Sequence, residues 1–381
     1  MKLKDFLNFL VDKRLLLALG IFFFFEIIFQ LGIYRTFLKK NSYAANVNRV
    51  TDHVIKSRDV LEPTILIVGT SVAFEGISVR ILNEQLADTG EKVQSLAIRG
   101  SELVVQHQLL EKNLSYFPKV HTVLHVLEPG MAWVDRPYLV EPTLVMMSEV
   151  GNFRAMSLIR EFEYDVKFSD YIFLALKSIA YRKDLSDMVI NFNERIKAIA
   201  RRKKNPNPNP WDYENPNLES MGPYHIDSVE DCLKITGINS TFPIPLGSNS
   251  DHKRMINETC GIAKSVPQET YETENTRRYF GRLKKMYSMI GDRKIHVIDV
   301  FAPYSTAIRK LNSPERMGIW KNGLSMALTP YQTLDIMDFQ TSLGTTDNGQ
   351  YCFDLIHLNK FGMEKFSNLL GKELVNRFGK N

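Results

Sequence analysis

The sequence predicts an α/β protein built on a parallel sheet. Two observations carry that expectation. Short apolar runs at 65–68, 93–98 and 120–127 each stop at a glycine or at a Glu-Pro-Gly turn, with helical patterns between them, and the same rhythm returns after Pro267. Runs of this kind fit strands buried on both faces, as a doubly covered parallel sheet requires.

The first stretch is of another kind. Between Arg14 and Arg35 lie 20 residues, LLLALGIFFFFEIIFQLGIY, broken only by Glu26 and Gln30. As a helix this run is about long enough to cross a bilayer, so residues 1–35 are expected to form an N-terminal transmembrane anchor. No small-residue cleavage site is evident, which favours an uncleaved anchor over the alternative of a removed signal peptide. Lys2, Lys4, Lys13 and Arg14 precede the run and Arg35, Lys39, Lys40 and Arg49 follow it, a near balance. A short tail before a first apolar segment behaves like an export signal, so the expected placement is single-pass in the cell membrane with the main domain outside. Glu26 would be costly at mid-membrane without a partner, and it is the expected contact for one.

Residues 36–60 read as a linker helix. The first half of the sheet domain, 61–134, then gives strand one at Ile65–Val68, a helix over Ile77–Asp88, strand two at Val93–Ile98, a helix over Glu102–Tyr116 and strand three at Val120–Leu127. From 135 to 266 the rhythm is lost and an inserted cap over the sheet edge is expected, with an independent subdomain as the alternative. Helical patterns run over Asn152–Arg202, with Phe162, Tyr164, Phe168, Tyr171, Phe173 and Leu174 as a packing face, and the Pro-rich Asn205–Asn217 must be an extended loop. The second half, 267–381, gives a long amphipathic helix over Gln268–Ile290, strand four at Lys294–Phe301, a candidate fifth strand at Leu334–Phe339 and a closing helix over Asn359–Phe378.

The charge balance argues against a nucleic-acid partner. The net charge is +5, and the one basic cluster, Arg201 to Lys204, continues a helical pattern without interleaved aromatics, as a solvated helix end does. Three cysteines, Cys232, Cys260 and Cys352, cannot form a complete disulfide framework, although Cys232 and Cys260 could pair in an exported domain. No Cys or His spacing matches a metal site, so no metal is expected. No cofactor is expected either. Gly69 and Gly76 do not make a dinucleotide fingerprint, no P-loop lysine follows, and Ala73 stands where G-x-S-x-G would place its last glycine.

Chemistry is instead concentrated at two distant places. TILIVGTSVAFEG, Thr64 to Gly76, sets Ser71 on the first turn after a strand, where ligands bind in open α/β sheets. Serine is also a common helix cap, so this position alone decides nothing. Near the other end, YCFDLIHLNKFG places Asp354 and His357 three apart just before the last helix. A nucleophile, a base and an acid that orients the base are the three parts of an acyl-transfer site.

In that order, Ser71 after the first strand, Gly100 after the second and the D-x-x-H pair before the last helix resemble the SGNH, or GDSL-like, hydrolase and acyltransferase superfamily. The resemblance covers roughly Thr64–Pro129 and Gln268–Phe378. It implies a flavodoxin-like three-layer sandwich with a parallel sheet, interrupted here by the mid-chain insertion. It also implies Ser71 as nucleophile, His357 as base, Asp354 as its orienting acid, and the Ser71 and Gly100 amides as the oxyanion hole. Thr70 stands where the family has Asp. The third block, which supplies an oxyanion-hole Asn after strand three, reads LEPGMAW here.

Such variation steers the reading to the membrane-anchored cell-envelope branch. The implied function is a serine esterase or O-acyltransferase acting on an acylated glycan or lipid, served by a membrane-bound acyl-donor protein. The alternative is a catalytically degenerate envelope protein of the same fold that binds a glycan or an assembly partner.

Overall fold

The computed structural model describes residues 12–204, 215–236, 249–267 and 269–379. Helix α1, Lys13–Gln30, is followed by α2, Tyr43–Leu61. Then come β1, Ile65–Val68; α3, Ser71–Gly76; α4, Val79–Gln85; β2, Val93–Ser95; α5, Leu103–Asn113; and β3, Thr122–Leu127. Among the helices that follow are α6, Glu141–Glu161, and α7, Ser250–Ser265, before α8, Glu274–Gly291, leads into β4, His296–Phe301. Helix α9, Pro314–Leu328, β5, Ile336–Asp338, and α10, Lys360–Phe378, complete the chain.

The five strands form one sheet in the order β2-β1-β3-β4-β5, parallel at every pairing. The expected α/β class and parallel sheet are therefore found. Alternation within each strand splits the core. Leu66, Val68, Val123, Leu127, Val297 and Phe301 face one side, where α2, α5, α6, α8 and α9 pack. Ile65, Ile67, Leu124, Val126, Ile298 and Val300 face the other, with α3, α4, α7 and α10. The chain runs from β1 out to β2 on one side and returns past β1 to β3 on the other, so the winding reverses between β1 and β3, and a crevice opens there at the carboxyl ends of the strands.

Several boundaries differ from the sequence reading. Strand two stops at Ser95, although Leu96 and Ile98 still donate backbone hydrogen bonds to the Ile67 and Gly69 carbonyls. The helix after β1 begins at Ser71 and breaks at Ile77, where Ser78 starts a new cap by accepting from the Ile81 amide. The segment read as a linker is α2, which buries Val47, Val50 and Val54 against the core. Within 135–266, α6 shares the core beside α2 and α5, while α7 packs on the opposite side. Most of the proline-rich loop, 205–214, lies outside the described residues.

The expected transmembrane anchor is not supported. Among the described residues no helix is long and apolar enough to cross a membrane. Helix α1 has 18 residues and includes Lys13, Arg14 and Glu26. It ends at Gln30, ahead of Gly32 in the left-handed region at φ 74°. Glu26, expected to seek a partner, is satisfied within the chain. It is 6% exposed and accepts from the amides of Lys177 and Ser178 and from Gln30 Nε2.

Candidate active site

Gly69 opens the turn after β1 because nothing larger fits. A Cβ there would lie 2.8 Å from the Ala73 side chain and 3.0 Å from the Val126 carbonyl of β3. Thr70 then caps α3, its hydroxyl accepting from the Val72 amide at 3.3 Å. Ser71 is thereby set at the rim of the sheet, beside the winding reversal.

The opposite side of the site is a tight loop. Asp354 Oδ1 accepts from the amides of Ile356, at 2.9 Å, and His357, at 2.8 Å, while the Phe353 amide donates to the His357 carbonyl. An antiparallel bridge between Cys352 and Leu358 closes the loop's base. Asn359 then caps α10 by accepting from the Gly362 amide. This geometry aims the imidazole at Ser71.

The three candidate residues form one hydrogen-bonded line. Ser71 Oγ lies 2.8 Å from His357 Nε2, and His357 Nδ1 lies 2.9 and 3.0 Å from the two oxygens of Asp354. In the neutral imidazole with its hydrogen on Nδ1, Nε2 is free to accept the serine proton, the arrangement a nucleophile and base need. Asp354 is fully buried. Burial alone would lower the affinity of His357 for a proton. The charge and hydrogen bond of Asp354, helped by Glu75, outweigh it and push the imidazole up to about 9. The acid therefore stabilises the imidazolium that forms when serine gives up its proton.

Gly100, the other expected oxyanion contributor, has φ 70° and lines the same cavity as Ser71 and His357. That cavity is about 280 Å³, with Leu103, Met131, Val134, Ile262 and Ile356 among its walls. Glu128, at the end of β3, lines it as well and hydrogen-bonds Thr70.

Sequence reasoning missed how these parts are held. His125 is the centre of a buried chain. Its Nδ1 is 2.7 Å from the Tyr287 hydroxyl and its Nε2 is 3.0 Å from Gln106 Oε1. The far end is Asp299, bonded to the same Tyr287 hydroxyl. Burial pulls His125 down to about 3 and pushes Asp299 up to about 8, so both are neutral at pH 7. The hydrogen-bonded chain runs from Asp299, which accepts from Tyr287, through His125 to Gln106. Gln106 Nε2 continues to the Ser101 carbonyl, and Ser101 Oγ to the Gly69 carbonyl. The chain thus ties both glycine turns to the core.

The acid–base loop has different supports. Asn215, 1% exposed, donates both to the Glu75 carbonyl at 3.0 Å and to the Leu358 carbonyl at 2.7 Å, joining the end of α3 to the loop. His252 of α7 bonds the Phe353 carbonyl and stacks on its ring, and Thr259 accepts from the Leu355 amide. A disulfide between Cys232 and Cys260 fixes α7 to the preceding helix. Asparagine and histidine in an irregular stretch carry no local signal of such a role.

No protein-family model and no curated protein matches the chain. Among the described residues no group of three or more His, Cys, Asp or Glu is arranged to hold a metal.

Proposed function

We propose that the protein is a serine esterase or O-acyltransferase of the SGNH type that works on an acylated glycan or lipid of the cell envelope. The observation that carries this reading is the line from Ser71 through His357 to Asp354. The strand order 2-1-3-4-5 fits the flavodoxin-like sandwich of that superfamily, with the nucleophile at the winding reversal. In the first half-reaction Ser71 Oγ attacks the ester carbonyl, His357 takes its proton, and the amides of Ser71 and Gly100 face the developing oxyanion. The imidazolium returns that proton to the departing alcohol. Water or a sugar hydroxyl then releases the acyl group by the reverse steps.

Two features support an envelope location. The Cys232–Cys260 disulfide fits an oxidising compartment. Helix α1 leaves Leu17, Phe23, Phe24, Phe25 and Ile27 exposed, a surface that lipid would cover and that would keep the site near a membrane-bound acyl donor.

A fluorophosphonate probe tests the enzyme reading. The wild-type full chain should be labelled at Ser71, and Ser71→Ala should not be labelled. The second reading, an envelope protein that binds a glycan or an assembly partner without catalysis, is favoured by Glu128, a carboxyl where the family places an amide. A wild type as inert as Ser71→Ala would select it.

A further inference from the structure

The end of β3 brings a carboxyl group to the rim beside the serine turn. Val68 of β1 pairs with His125 of β3, and Gly69 leaves no room for a side chain over the Val126 carbonyl. The residues that follow the two strands are thereby pressed together, and Thr70 Oγ1 and Glu128 Oε1 are hydrogen-bonded. Thr70 Oγ1 donates its hydrogen to Glu128 Oε1 while accepting from the Val72 amide. The second carboxyl oxygen is left to carry a proton.

The surroundings favour that proton. Glu128 forms no ion pair with a lysine or arginine among the described residues. His357 of the acid–base loop is the charged group that acts on it, and Glu128 in turn acts on Tyr279 of α8 and Tyr304 after β4. Both tyrosines are kept neutral, chiefly by burial, and Tyr304 donates its hydrogen to the Leu127 carbonyl. Across the cavity stand Glu102, Arg136 and Asp135, the last engaged by Arg278 and Arg282. Burial pushes Glu128 up to about 7, against the opposing pull of His357.

We propose that Glu128, as a neutral carboxylic acid anchored by Thr70, donates a third hydrogen bond to the oxyanion formed at Ser71. The inference rests on the acyl-transfer reading above and makes Glu128 a catalytic residue. When the Ser71 Oγ–carbon bond forms, the carbonyl π pair moves onto oxygen and the serine proton moves to His357. The charged oxygen then faces the Ser71 and Gly100 amides and the Glu128 hydroxyl. On collapse the pair returns, the bond to the leaving alcohol breaks, and His357 protonates that alcohol. Glu128 keeps its proton throughout. An ionised Glu128 would repel the oxyanion, whereas a neutral acid strengthens its hydrogen bond as the charge grows.

The experiment compares wild type, Glu128→Ala and Glu128→Gln in full-length protein, using fluorophosphonate labelling rates and hydrolysis of an aryl acetate across pH. Glu128→Ala should lower the labelling rate and kcat by about 10²- to 10³-fold. Glu128→Gln, whose amide can donate in the same place, should recover at least about tenfold of that loss. The wild-type profile should fall at high pH as Glu128 ionises, and Glu128→Gln should lack that fall. A Glu128→Ala rate equal to wild type, or a Glu128→Gln as slow as Glu128→Ala, overturns the proposal. Should Glu128→Ala not fold, the alkaline limb decides, and its persistence in Glu128→Gln overturns it. A wild type that is never labelled instead removes the reading of Ser71 itself.

Discussion

The two sides of the Ser71–His357 hydrogen bond are built differently. The serine side is a product of the sheet: β1 aims it, Gly69 lets β3 approach, and the chain from Asp299 to Ser101 ties both turns to the core. The acid–base side is an irregular loop held from outside by Asn215, by His252 and Thr259 of α7, and by a disulfide behind that helix. One support is regular and central. The other is assembled from residues far apart in the chain, so damage at Asn215, His252 or Thr259 should reach His357 while leaving Ser71 in place.

The largest effect that would sharpen this contrast is expected at the loop's acid. Asp354→Asn should lower kcat by about 10³- to 10⁴-fold with KM little changed, because the imidazole loses its orienting acceptor. Steady-state kinetics check it, and an intact fold by circular dichroism shows that the sheet is untouched. An unchanged kcat would break the assignment of the loop.

The next effect is on stability against pH. His357 rises from an ordinary value near 6.5 to about 9 in the folded chain, so its contribution is fully present below about 6.5 and is lost as pH climbs through 9. Over that window His357→Gln should remove about 3 kcal/mol of pH dependence, the free energy of a shift of this size. Urea denaturation of both proteins at pH 6 and pH 10 measures it. Equal slopes would mean that Asp354 does not hold the imidazole.

A smaller change tests the external support. Asn215→Ala strips hydrogen bonds from the Glu75 and Leu358 carbonyls at once, and should destabilise the protein by about 1–3 kcal/mol. It should also lower kcat more than it raises KM. Equal damage to both constants would place Asn215 in substrate binding.

The contrast also explains what was legible beforehand. Strands β1, β3 and β4 announce themselves because strands covered on both faces must be continuously apolar, and Ser71, Asp354 and His357 stand where such strands and the last helix stop. The turn at Gly100 was legible for the same reason. Glu128 was visible only as a missing asparagine. Its pairing with Thr70 follows from the register of β1 on β3, which local sequence does not encode. Asn215, His252 and the partners of His125 act over separations of about a hundred residues or more, or across the sheet, where periodicity is silent. Helix α1 shows the opposite failure. Its apolarity was legible, but that Glu26 is claimed by the amides of Lys177 and Ser178, 151 and 152 residues on, was not.

Gly362 couples the last helix to the loop before it. A Cβ at that position would collide with the Tyr351 carbonyl at 2.1 Å, so helix and loop meet backbone to backbone. Phe366, Leu370 and Leu374 root the same helix in the core. The carboxyl-terminal segment is consequently a lever on the imidazole. Removing it, or prising it away, would swing His357 off the serine and silence the molecule from a distance.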